Sequence, residues 1–474
     1  MKPDILSKAK FNNSLPEFSS RSDIESRYHR FSGIRSFPLI VLDDDPTGIQ
    51  TVHGLNVYMS WDTKVFEEIF AKNEIAFIHT NTRAYSQSKV RIILREIMTN
   101  ILHVAKNNNS NFEIISRSDS TLRGHYPFET EYIRNFIEKE TDEKIDGEIL
   151  VPFFREGGRV TFNDIHYVID ELNIIPAAQT EFARDPDFSF NNSDLKFYIE
   201  EKTQGNHRAS GVISISLDIL RKGDHSEIKK MLLGAENFSR IIVNAVEYDD
   251  LKAFIPSLIE AREKGKKFIY RTAASFVKTY AFNDDIELLG RSDFPAFKST
   301  NDTILLIAGS YTEKTSLQLA RLESSFTVES LELGIRELLK DDLSFEAETK
   351  KATKGIASVL RSGKNPVLFT SRQLVSTDDH LKTAERISRA LVKIVQDLDQ
   401  RPGAIIAKGG ITSSVLAVNG LKIRKAQVKG QILPGVPVVE TGDESKWPGL
   451  PYIIFPGNVG NKDSLMELYS KLLG

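Results

Sequence analysis

The sequence predicts an α/β protein of two domains, each a largely parallel β-sheet flanked by helices, with an active-site cleft between them. Three observations carry that expectation. Short apolar runs at 37–42, 75–78, 112–115 and 149–151 start roughly every 35 residues, the length of one strand–helix unit. Each run empties into a polar cluster: DDDPTG at 43–48, TNTR at 80–83, RSDSTLRGH at 117–125 and FFREGGR at 153–159. The same grammar restarts after residue 302.

In chain order, residues 1–36 read as a polar, loosely held lead of mixed charge without the apolar stretch of a signal peptide. The first domain is drawn at 37–290. Its later strands are 240–245 and 267–270, around a helix at 250–264. A stretch containing Gly, Pro and mixed polar residues places the linker at 291–302. The second domain, 303–474, has runs at 303–310 and 366–372 ending in hydroxyls. Two more, at 403–414 and 452–460, end in glycines. Residues 380–396 form a helix with Leu381, Ile387, Leu391 and Ile394 on one face, and 464–473 form another.

Composition removes several function classes. Lys plus Arg is 62 against 65 Asp plus Glu, a formal charge of −3, which disfavours a nucleic-acid partner. There are no cysteines, so disulfides, thiolate metal sites and cysteine nucleophiles are excluded. The longest apolar runs are about five residues, against roughly 20 for a membrane span, so no membrane association is expected and the protein reads as cytoplasmic. The nine histidines are scattered, and no P-loop, G-x-G, H-E-x-x-H or G-x-S-x-G pattern occurs.

What remains is oxygen chemistry. In open α/β sheets ligands bind beyond the carboxyl ends of the strands, so four polar clusters at neighbouring ends converge on one site. Three adjacent carboxylates, Asp43, Asp44 and Asp45, are costly after a buried strand unless they meet cations, a metal or a substrate. One could accept a hydroxyl proton while another holds Mg²⁺ or a sugar hydroxyl. The plainer alternative is a solvated acidic turn. The same letters also fit D-x-D-x-T of haloacid-dehalogenase-like phosphatases, with Asp43 as nucleophile and Asp45 as acid/base. Arg117, Asp119, Arg123 and His125 fall within nine residues, and arginine forks suit an anionic hydroxylated substrate. The alternative there is an i,i+4 Asp119–Arg123 pair on a helix face. Arg83 and Arg155 would reinforce the substrate reading, and Gly157 and Gly158 could turn backbone N–H groups toward an anion. In the second domain the loops at Ser310–Thr312, 408–414 and 456–460 together suggest a polyphosphate cradle, hence a nucleotide.

These motifs resemble the four-carbon acid sugar kinase family. The resemblance rests on VLDDDPTGIQTVHG (41–54), RSDSTLRGHYPFE (117–129), VPFFREGGRVTFNDIHYV (151–168), IAGSYTEKTSLQL (307–319), AKGGITSSVLAVNGL (407–421) and PGNVG (456–460), in family order across most of 37–474. It implies an N-terminal domain for the acid sugar, a C-terminal domain for ATP, and Mg²⁺-dependent phosphorylation of a terminal hydroxyl of a tetronate-like acid. A homodimer is compatible with it. The nucleotide contacts it implies are Ser310, Gly409, Gly410, Ile411, Thr412 and Gly457. The acid-sugar site falls on Asp44, Asp45, Asp119, Arg123 and the EGGR segment, with Arg83, Arg117 and Arg155 as further candidates. A final loop with Phe455 and Pro456 before Gly457, and Ile411 after the paired glycines, depart from the family's usual pattern. The phosphatase and a non-catalytic nucleotide or sugar-acid sensor are the alternative functions.

Overall fold

The computed structural model describes residues 3–45, 48–170, 172–294, 302–309, 313–371, 380–457 and 459–473. They divide into two compact units.

The first unit comprises residues up to Gly48 and Ser60–Asp285. Its centre is a seven-stranded, wholly parallel sheet ordered Ile213–Ile215, Ser239–Val243, Gly147–Val151, Phe268–Thr272, Glu113–Arg117, Leu39–Asp43, Ile75–His79. Residues of the central strands are buried along their whole length, as near-continuous apolar runs require when helices cover both faces. The helix Gln87–Asn108 shows how those faces are covered. Val90, Ile93, Leu94, Ile97, Met98 and Ile101 are buried at three- and four-residue spacing, and Asn109 ends the helix in the left-handed conformation.

Two features of this unit differ from the sequence expectation. The polar lead is not loosely held: Lys8–Ser14 and Arg21–His29 are helices that bury Phe11, Ile24 and Tyr28. Arg27 pairs with Glu260 and Glu25 with Lys252, both partners on the helix Tyr248–Glu263. Few apolar residues suffice there because ion pairs dock the rest. A second sheet, four antiparallel strands ordered Leu6–Ser7, Asn173–Pro176, Ile165–Ile169, Arg159–Phe162, follows the FFREGGR cluster. Its central turn, Asn163–Asp164, has positive φ at both residues, the two-residue hairpin turn these side chains favour.

The second unit comprises Ile49–Met59 and Ile286 onward. Five parallel strands run Pro451–Phe455, Ala404–Lys408, Ile304–Ala308, Asn365–Thr370, Val328–Leu333. An antiparallel extension, Val436–Thr441, Lys425–Leu433 and Asn56–Tyr58, continues from the Pro451–Phe455 edge. Its core includes Ile304, Leu306, Ile406, Val438, Ile453, Phe455, Leu468 and Tyr469. Among the described residues no helix is long and apolar enough to cross a membrane.

Candidate active site

The site of the first unit begins with strand register. Asp43 is level with Arg117 on one side and His79 on the other, so three parallel strands deliver their carboxyl ends to one place. The chain beyond each end supplies the chemistry.

Asp43 and Asp44 are buried, with 1% and 3% of their surface exposed. Arg117 donates to Asp43 at 2.9 Å and to Asp44 at 3.3 Å. Arg83 grips Asp44 through two hydrogen bonds, Nη2 at 2.7 Å and Nε at 3.3 Å, and Ser118 Oγ donates to it at 2.8 Å. Arg83 also reaches Asp45 at 3.4 Å and Asp119 at 3.6 Å. Arg123 Nε donates to Asp119 at 2.7 Å, in a turn rather than on a helix face. Asp45 is the most accessible of the three consecutive carboxylates, its side chain 24% exposed. The structure therefore brings Asp44, Asp45, Asp119, Arg83, Arg117 and Arg123 together.

Charge follows that geometry. Burial pushes the Asp43 carboxyl up to about 7 against the pull of Arg117, with Asp44 and Asp45 adding to the rise. Burial pushes His79 down to about 4, opposed by Asp45 and Asp44. Burial would raise Asp119 too, but Arg83, Arg123 and the Thr121 hydroxyl hold it well below the usual carboxylate range. Burial would lower Arg83, yet Asp44, Asp45 and Asp119 keep it firmly protonated.

The EGGR segment corrects one expectation. Arg155 does not join the cluster: it is exposed and lies over the Tyr248 ring at 5.7 Å. Arg159, the last residue of the expected EGGR segment, is the arginine near Asp119. Its guanidinium lies over Phe182, 5.5 Å from the ring centroid, and makes no hydrogen bond or ion pair among the described residues, while its Nε is buried. Burial lowers its pKa, and Asp119 opposes the fall while Arg123 adds to it. Gly157 and Gly158 shape this turn. A Cβ on Gly157 would sit 2.4 Å from the Phe154 ring and 3.0 Å from Arg159 Nη1, and Gly158 has φ +69°.

The supports beneath the cluster carry no motif of their own in the sequence. Arg271 pairs with Glu129 at 2.7 Å and donates to Ser116, and Glu129 accepts from Thr82 at 2.6 Å. His166 ties down the Asp119 loop, its Nε2 2.7 Å from the Ser120 carbonyl and its Nδ1 2.9 Å from Thr161 Oγ1. Burial pushes His166 down to about 4, so it is neutral near pH 7. The one signal for Arg271 was a charge at the inner end of an apolar run.

In the second unit Ala308, Lys408 and Phe455 end three adjacent parallel strands level with one another. Beyond them lie Gly309, the run Gly409, Gly410, Ile411 and Thr412, and Gly457. Gly409 has φ +110°, and a Cβ on Gly309 would come within 2.3 Å of Thr412 Oγ1, so two of the loops are packed together. At Gly410 and Gly457 an added Cβ meets nothing within 4 Å. Bare backbone facing open space lets a ligand approach closely. Ile411 is 71% exposed. Ser310 and Thr312, like Pro46 and Thr47 of the acidic loop, lie outside the described residues.

Residues 39–280 match the model of a sugar-binding N-terminal domain, and residues 305–465 that of a nucleotide-binding C-terminal domain. The chain belongs to the four-carbon acid sugar kinase family. Two solved structures share the fold. A protein of Salmonella typhimurium LT2, assigned provisionally as a tRNA synthase, is 14% identical with a TM-score of 0.66, over 91% of this chain and 98% of that one. Haemophilus influenzae protein HI1011, grouped in DUF1537, is 16% identical with a TM-score of 0.60, over 92% of this chain and all of that one, 100%. No curated protein matches. Membership of this family assigns the two units their ligand classes, a sugar for the first and a nucleotide for the second.

Proposed function

We propose that the protein is an ATP-dependent kinase acting on a terminal hydroxyl of a small, tetronate-like acid sugar. The observation that carries the reading is the contrast between Asp45 and Arg159. Asp45 is a partly exposed carboxylate, and Arg159 is a guanidinium without a carboxylate partner among the described residues, the two connected through Arg83 and Asp119. An acid sugar needs both: a cation for its carboxylate and a base for its hydroxyl.

In this reading Asp45 accepts the hydroxyl proton, Asp119 orients the substrate, and Arg159 with Arg123 holds the carboxylate. Asp44 positions the site instead of reacting, because Arg83, Arg117 and Ser118 already occupy its oxygens. Arg117 is buried on Asp43 and Asp44 and acts as their fixed counter-charge. Among the described residues no three His, Asp or Glu side chains gather into a metal site. Mg²⁺ is therefore proposed to arrive with ATP, coordinated mainly by phosphate oxygens and water, a common arrangement for this ion. It would neutralise charge on the phosphates during transfer.

The phosphatase alternative finds no support. A nucleophilic Asp43 would need access to phosphorus, whereas its carboxylate is buried against Arg117, and even a Cβ on Gly48 would come within 2.2 Å of it. The test is ADP release with ATP and Mg²⁺ over a panel of tetronates and related sugar acids. Turnover with at least one acid, lost in Asp45→Asn, is expected. No ADP above background from folded protein with any of them would overturn the proposal.

A further inference from the structure

Lys408 is the last residue of the strand Ala404–Lys408, and none of its surface is exposed. Its ammonium lies 4.1 Å from the centroid of the Phe455 ring, and its Nζ is buried with no hydrogen-bond partner among the described residues. No carboxylate among the described residues pairs with it. The flanking strands present Ala308 and Phe455 at its level, both apolar. The charged group that acts on it is another cation, Lys314, near the start of the helix Glu313–Ser325. A buried ammonium with one aromatic face, no acceptor and a like charge nearby is an arrangement that folding alone does not favour. It becomes favourable when an anion enters.

The position says which anion. Lys408 leads directly into Gly409 and Gly410, and the Phe455 carbonyl accepts from the Gly409 N–H at 2.9 Å. The two bare glycine positions, 410 and 457, follow the strands that carry the ammonium and the ring beneath it.

We infer that Lys408 is the buried phosphate-binding cation of the second unit, its Nζ donating to the terminal phosphates of a nucleotide polyphosphate, with Lys314 adding charge from the neighbouring helix. This rests on the nucleotide half of the proposed function. It goes further in assigning recognition to the phosphate chain instead of the nucleoside. The free protein supplies a proton-linked signature. Burial, helped by Lys314, lowers the Lys408 pKa to about 8, and a bound polyphosphate raises it. Binding at pH 8 therefore takes up on the order of half a proton.

The experiment measures binding of ATP, ADP, AMP, adenosine and inorganic tripolyphosphate to wild type and Lys408→Met by calorimetry. Wild type is also titrated with ATP at pH 8 in two buffers of different ionisation enthalpy. The methionine keeps the apolar stem and removes the charge. Loss of about 10- to 100-fold in ATP and tripolyphosphate affinity with adenosine unchanged, together with proton uptake in wild type, is expected for one charge-assisted contact. Unchanged ATP affinity in folded Lys408→Met overturns the assignment and leaves the kinase reading standing. Should the variant not fold, absence of proton uptake in wild type overturns it equally. Lys408-dependent binding of tripolyphosphate without ATP binding sustains the phosphate site and removes the nucleotide reading. Binding of none of the probes by wild type removes both.

Discussion

Asp44 and Arg83 face each other through two hydrogen bonds, 2.7 and 3.3 Å, at the carboxyl ends of neighbouring strands. That pair fixes the difference between Asp44 and its neighbour Asp45. The first has its lone pairs committed, whereas the second stays partly open to solvent. Adjacent identical residues therefore serve different purposes.

The contrast can be read by mutation. Asp44→Asn should destabilise the fold by about 3–5 kcal/mol, because it leaves buried guanidinium groups with too little negative charge. Asp45→Asn should leave the melting temperature nearly unchanged while lowering kcat by roughly 10²- to 10⁴-fold. Thermal melts and ADP release on both variants check this. Equal activity loss without destabilisation in both would show that the two aspartates share one role.

Arg155 and Arg159 separate in the same way. Arg159→Met should raise KM for the acid sugar about 10- to 100-fold, with nucleotide affinity retained, because it removes a charge-assisted contact. Arg155→Ala should change KM less than twofold, as roughly expected of an exposed side chain. The reverse ranking in steady-state kinetics would return the carboxylate to Arg155.

Gly124 has φ +110°, and a Cβ there would lie 2.9 Å from both Arg271 Nη2 and Ser118 Oγ. Gly124→Ala should cost at least about 1–3 kcal/mol in backbone strain alone. It should also lower activity by shifting Ser118 away from Asp44. Gly410→Ala is the counterpart: with nothing within 4 Å, it should fold normally yet weaken ATP binding roughly tenfold. Chemical denaturation and calorimetry on the two variants separate strain from ligand contact.

Asp43 and His79 contribute opposite pH dependences. The folded pKa of Asp43 is raised to about 7 from 3.8, so its contribution to stability is full below about pH 4 and declines as pH rises toward 7. His79 is depressed to about 4 from 6.5, so its contribution is lost as pH falls across nearly the same window. In wild type the two slopes partly cancel. Asp43→Asn should unmask the histidine, giving a steeper fall in urea midpoint between pH 6.5 and 4. An unchanged slope would mean that Asp43 titrates as an ordinary carboxylate.

Strand order of appearance was legible in the sequence because apolar runs buried on both faces leave an unmistakable pattern. The runs at 37–42, 75–78, 112–115 and 149–151 correspond to strands within two residues at each end. The hairpin Lys425–Thr441 was less so, its first strand alternating buried with more exposed residues, its second almost wholly buried, and the two joined by a short turn. The helices of the lead were not legible because they bury just three side chains of their own and are otherwise docked by polar contacts and ion pairs with distant segments.

Absence of cysteine, the clusters of Asp and Arg after apolar runs, and the glycine loops were determined by sequence alone, since chemistry is carried by residue type. Which of three consecutive aspartates is most accessible, which arginine of REGGR lies near Asp119, and that Lys408 is buried without an acceptor among the described residues were decided by the tertiary structure. Each depends on distances between segments far apart in the chain. Burial and pairing, which set the charge and reach of a side chain, exist only once those segments meet.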